Sequence, residues 1–310
     1  MKTYPIPVVL IVFNRVDLVE KQLNVLKKIV PEKLFIICDA PRAGNDTDME
    51  AVTTIKSMID SITWCSQILK NYATENMGCD RRITSGLDWV FQYVEEAIIL
   101  EDDCIPSKDF FKYCEELLEK YKNIKNIFYI SGSNEISRFK MKNSYLFIPA
   151  ASTWGWATWK CAWDTFDYNT FLIQWDNEKN RKVKWEYSLP GDRKRWISNI
   201  DRNRKNGIIP WDYCWSWHVI QSNGLSVVPQ KNMIENVGFR TDATHTMDKP
   251  EKYEGVIEKM NFPLMHPDII EIDKGYYLEN WKYEKPNYLK KLIDINFYKR
   301  QWKKIICKGK

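Results

Sequence analysis

Through the first hundred positions, short β-rich apolar runs alternate with stretches whose apolar residues recur at helical spacing. Runs at 7–13, 33–39, 67–73 and 97–100 read as strands, and amphipathic stretches at 17–29, 46–59 and 81–95 read as the helices between them. Asp17 is placed to cap the first helix, where Leu18, Val19, Gln22, Leu23, Val25 and Leu26 form a mainly apolar face. Strands that alternate with helices imply a mostly parallel central sheet with helices on both faces, an α/β fold of Rossmann-like type. Ligands of such sheets bind beyond the carboxyl ends of the strands.

Three polar clusters fall at those ends: Asn14-Arg15, Asp39 and Glu101-Asp102-Asp103. The acids follow a strand of Ala97, Ile98, Ile99 and Leu100, and precede a helix that Ser107 is placed to cap, with Phe110, Phe111, Cys114, Leu117, Leu118 and Tyr121 at spacings of three and four. Three consecutive carboxylates repel unless a cation or strong donors neutralise them. Oxygen-only ligands, few and with open positions, suit Mg²⁺ or Mn²⁺ shared with a phosphate better than zinc. An acidic turn that merely caps the next helix is the plainer alternative.

Beyond Phe128 the alternation ends and aromatic segments take over, TWGWATWKCAWDTFD at 153–167 and WDYCWSWH at 211–218. Asp212, between tryptophans, is a candidate general base, because an apolar pocket raises a carboxylate's pKa toward neutrality. The competing role is the N-cap of a helix over 213–222. Trp154, Trp156 and Trp211 could shape a sugar pocket or pack the core. Of the three histidines, His218 reads as a core or edge residue, whereas His245 follows a strand and turn.

Charge and cysteines narrow the classes further. With 46 Lys and Arg against 41 Asp and Glu, the net charge of +5 excludes the dense basic character of a nucleic-acid binder. The eight cysteines form no CxxC pair and no zinc-ligand spacing, which implies reduced thiols. The opening run is broken by two prolines and reads as neither a signal peptide nor a span, so a cytoplasmic protein is expected. Residues 1–245 read as one domain and 246–310 as a basic, helical extension. Its last part, 288–310, mixes Leu, Ile, Phe and Trp with Lys and Arg, as a helix lying on an anionic membrane surface would.

The segment LEDDCIPSKDFFKYCEELLEKY resembles the metal-binding segment of the N-acetylglucosaminyltransferase I family, where a Glu-Asp-Asp triplet precedes a proline turn and a Phe-Phe helix. VFNRVDLVEKQL, FIICDAPR and WDYCWSW are similar to that family's first turn, second strand end and motif near the base, and WGWATW, NMG and GF…ATHT resemble a set of bacterial sugar-nucleotide transferases. The resemblance implies a GT-A fold and a metal-dependent hexosyl- or N-acetylhexosaminyltransferase, of the kind that serves polysaccharide biosynthesis. The donor would be a nucleotide-diphosphate sugar, with a UDP-sugar favoured, and the acceptor a glycan or lipid-linked glycan. It further implies that Asp103 binds the metal, that Asp102 and Glu101 contact the ribose and donor sugar, that Asp39 meets the edge of the nucleotide base, and that His245 reaches the metal or diphosphate, as a late histidine does in many metal-dependent GT-A enzymes. Arg15, with Arg81 or Arg42, would lie near the nucleotide, and Asp212 acting opposite the leaving group would invert the configuration. The chain departs from the family at Cys79-Asp80-Arg81, where a histidine is usual. Two other readings stand beside this one. A sugar-1-phosphate nucleotidyltransferase would need a Gly-rich loop where this chain has VFNRVD, and a non-catalytic sugar-binding module would not need Glu101, Asp102, Asp103 and Asp212 together.

Overall fold

A computed structural model describes residues 3–176, 191–207, 209–239 and 256–283. The first four strands are β1 (Val8–Val12), β2 (Lys33–Cys38), β3 (Gln67–Tyr72) and β4 (Glu96–Glu101), separated by α1 (Val16–Ile29), α2 (Asp46–Asp60) and α3 (Cys79–Val90). They pair in parallel in the order β3-β2-β1-β4. The chain therefore winds outward from β1 to β3 and then crosses back to the other side of β1, which opens a crevice beyond the carboxyl ends of β1 and β4.

The remaining strands, β6 (Ile127–Ser131), β7 (Tyr145–Ile148), β8 (Trp156–Trp159) and β9 (Leu225–Pro229), extend the sheet as β4-β8-β6-β9-β7. Here β8 runs antiparallel to both neighbours, so the expectation of a mostly parallel sheet holds for one half and gives way to a mixed half where the sequence turns aromatic. A separate ribbon pairs β5 (Cys104–Pro106) with β10 (Ile234–Asn236).

Side chains of the central strands alternate between two cores, as their pleat requires. Val8, Leu10 and Val12 of β1 pack on one face with residues of α1, α2 and α4 (Lys108–Tyr121), while Val9 and Ile11 pack on the other with α3 and α8 (Trp211–Gln221). Both faces are thus covered, and these strands read as continuous apolar runs.

Helix caps differ in part from expectation. Ser107 caps α4 by accepting from the Phe110 N–H at 3.4 Å. The cap position of α1 belongs to Arg15, with Asp17 inside the first turn. Two short helices, α5 (Lys160–Trp163) and α6 (Tyr168–Asp176), and the longer α7 (Asp192–Lys205) precede α8, and α9 (Lys274–Tyr283) follows later. Residues 256–283 pack onto the sheet: Met260 and Leu264 enter the first core, and Tyr276 joins a third cluster with Leu146 and Val228.

Candidate functional site

The switch crevice brings the first and third polar clusters together. Arg15, just beyond β1, places Nη1 3.0 Å from Asp102 Oδ1 and 2.8 Å from Asp103 Oδ2. Glu101 ends β4 in register with Ile11 of β1, so the sheet itself fixes which residues meet. The acidic turn is tied from below by Gln22 of α1, whose Nε2 donates to the carbonyls of Glu101 at 2.8 Å and Cys104 at 2.5 Å. A buried amide in an apolar helix face is thereby explained, since it satisfies carbonyls at a bend where the ladder cannot.

The electrostatics of this turn are those of crowded acids in a dry place. Burial pushes the Glu101 carboxyl up, and Asp103, Asp212 and Asp102 add to it, with Arg15 pulling the other way. Asp102 is pushed up to about 7, by burial first, against the pull of Arg15. That Asp212 acts on Glu101 means the base candidate lies within electrostatic reach of the triplet, although 111 positions separate the two along the chain.

Asp212 stands in the first turn of α8, where its Oδ1 accepts from the Tyr213 N–H at 2.9 Å. The N-cap position is Pro210, and the Trp211 N–H is instead satisfied by Asp80 Oδ1 of α3 at 2.8 Å. The capping role weighed for Asp212 thus falls to Asp80. A cavity of about 280 Å³ adjoins Asp212, lined also by Trp154, Trp196 and Asn199 and, from α9, by Tyr276 and Asn280. A second hollow, of about 490 Å³, runs along one face of α7 and contains none of the triplet, Asp212 or Trp154.

Of the three tryptophans expected at a sugar pocket, Trp154 lines the cavity. Trp156 and Trp211 do not; they stack on each other in the second core with ring centroids 5.8 Å apart. Gly155 makes this division possible: its φ of +62° turns the chain between the two rings, and a side chain there would overlap Ile234.

Other expected residues have structural bonds. Asn14 donates to Asp48 Oδ1 at 2.8 Å, and Arg42 also holds Asp48, so both fasten the start of α2. Both oxygens of Asp39 accept backbone N–H groups, from Ala40, Met77 and Gly78, and tie the loop before α3 to the end of β2. Arg81 is exposed, while its neighbour Arg82 is buried and bonded to the Cys38 and Asn71 carbonyls. His245 and residues 288–310 lie outside the described residues. His218 packs among Phe128, Phe166 and Trp215, as a core histidine should.

Among the described residues no group of three or more His, Cys, Asp or Glu forms a ready-made metal cage. The donor chemistry nevertheless fits Mg²⁺ or Mn²⁺, which are commonly held by one or two carboxylates together with substrate phosphates. Asp103 supplies a hard oxygen in a turn where Gly238 has no Cβ to crowd it.

No family model and no curated protein matches the chain. Among solved structures it is similar to the mannosyltransferase PcManGT of Pyrobaculum calidifontis in complex with GDP-Man and Mn²⁺, at 13% identity over 71% of this chain and 69% of that one, with a TM-score of 0.35. Mouse xyloside xylosyltransferase 1 is similar at 9% identity over 72% and 84%, TM-score 0.38. A cytidylyltransferase of Leptospira borgpetersenii is similar at 11% identity over 66% and 74%, TM-score 0.31. Likenesses this distant do not choose between sugar transfer and nucleotidyl transfer.

Proposed function

We propose that this chain is a metal-dependent glycosyltransferase of GT-A type, which moves a sugar from a nucleotide-diphosphate donor to a hydroxyl of a glycan or lipid-linked acceptor with inversion. The observation that carries the reading is the convergence of Glu101, Asp102 and Asp103 with Arg15 in the switch crevice, within electrostatic reach of Asp212.

Each residue has a task that its setting suits. Asp103, with Mg²⁺ or Mn²⁺, would hold the donor diphosphate, and the cation supplies Lewis-acid stabilisation of the departing phosphate. Arg15 balances the acids and offers planar donors to diphosphate oxygens. Glu101 and Asp102 would meet ribose and sugar hydroxyls, a reading their position beside Asp103 supports. Asp212 takes the acceptor hydroxyl proton, and the adjoining cavity, with the Trp154 ring in its wall, receives the acceptor. Residues 288–310 would rest on an anionic membrane surface and bring lipid-linked acceptors within reach.

The test is thermal shift of the purified chain against a panel of nucleotide sugars with and without Mn²⁺, followed by calorimetry on Asp103→Ala. A Mn²⁺-dependent shift with one donor, lost in the variant, is expected. Unchanged donor affinity in Asp103→Ala would refute the metal assignment.

A further inference from the structure

We infer that Gly238 is a positioning residue for the Asp103 carboxylate, an inference that rests on Asp103 as the metal ligand. The ribbon of β5 and β10 carries the chain back over the acidic turn, and the Val237 N–H donates to the Asp103 carbonyl at 2.9 Å. One residue on, Gly238 is buried with its Cα facing the carboxylate: a Cβ built there would overlap Asp103 Oδ2 and stand 2.9 Å from Asp103 Cγ, with Asn236 Oδ1 next at 3.1 Å. Phe239 then meets the Trp154 ring edge-on at 5.8 Å, so the same three residues touch the acidic turn and the wall of the cavity.

The overlap selects the carboxylate as the part that must yield. Asp103 Oδ2 is the oxygen held by Arg15 at 2.8 Å, whereas the backbone on both sides is pinned by the ribbon and by the Gln22 bonds to Glu101 and Cys104. A methyl group at 238 therefore rotates the carboxylate away from Arg15 and away from the place where it would meet a cation. The φ of Gly238 lies outside the left-handed region, so alanine meets no backbone strain there and the contact itself is what changes. Glycine at 238 is in this view a requirement of Asp103.

The experiment is a cycle of four proteins, wild type, Gly238→Ala, Asp103→Ala and the double variant, read by thermal melting and by Mn²⁺ titration followed through the electron paramagnetic resonance of the free ion. Gly238→Ala is expected to lower the melting temperature by at least about 2 °C and to weaken Mn²⁺ binding by about 10-fold or more. The melting loss should shrink to a small fraction in the Asp103→Ala background, where the added methyl meets only the 3.1 Å approach of Asn236 Oδ1. Unchanged Mn²⁺ affinity in Gly238→Ala, or an equal melting loss with and without the Asp103 carboxylate, would overturn the inference. Should Gly238→Ala fail to fold, recovery of folding in the double variant supports the contact and failure to recover refutes it. A wild-type chain that binds no Mn²⁺ either alone or with a nucleoside diphosphate present would sink the metal assignment, while the melting cycle would still decide the contact.

Discussion

Asp80, in the first turn of α3, accepts the first N–H of α8, that of Trp211, at 2.8 Å, and so one helix start anchors the helix that carries Asp212. Asp80→Ala removes a cap, which costs about 1 kcal/mol, and it leaves the turn holding Asp212 less fixed. Urea unfolding should show the loss, and Asp80→Asn should restore most of it. Equal stability of Asp80→Ala and wild type would mean the bond contributes nothing.

Arg15 balances two carboxylates, and its removal leaves them facing each other. The pair is shielded without being sealed, its side chains being 10–19% exposed. The cost of Arg15→Ala should therefore lie between the roughly 1 kcal/mol of an exposed pair and the about 3–5 kcal/mol of a buried one. Added Mn²⁺ should restore part of the lost stability by supplying the missing charge, which melting curves with and without the ion will show.

Asp212→Asn keeps size and polarity but removes basicity. Transfer should fall by roughly 10²–10⁴-fold, the usual worth of a general base, with donor affinity nearly unchanged. Because Asp80 provides the cap, the variant should melt close to wild type. Near wild-type transfer would place the base elsewhere.

His218 sets an acid limit to stability. Burial lowers its pKa from 6.5 to about 4, so the folded protein holds the ring neutral where the unfolded chain would already bind a proton. The unfolded state binds more protons between these values, and stability is lost as pH falls from 6.5 toward 4, by up to about 3 kcal/mol if the whole shift is realised. The raised Asp102 carboxyl acts with the opposite sign over the same range, so the difference between wild type and a His218 variant in urea midpoints at pH 7 and pH 4.5 measures it. His218→Gln, which can still meet Thr165 Oγ1, should flatten the dependence.

The parallel half of the sheet was legible in the sequence because its strands are buried on both faces and its helices keep one apolar side. The acidic turn was legible for the same reason, as it follows from strand order. What escaped were contacts between distant segments. Nothing near Asp80 shows that a helix beginning at Trp211 ends against it, and nothing in WGWATW shows that Gly155 sends Trp154 to the cavity and Trp156 to the core. The helical spacing puts Gln22 on the apolar face, but its reason, the carbonyls of Glu101 and Cys104, lies some 80 positions away.

The wall formed by Tyr276 and Asn280 has a consequence for the order in which the chain is made. A nascent chain halted at residue 245 would already contain Arg15, the acidic triplet and Asp212, yet one side of the hollow beside Asp212 would be open to water. Under the proposed function, the residues assigned to the donor are made early in translation and those that would enclose the acceptor late. A chain cut short there would lack that wall and, with it, Met260 and Leu264 of the first core, so the late segment completes the packing and the hollow together.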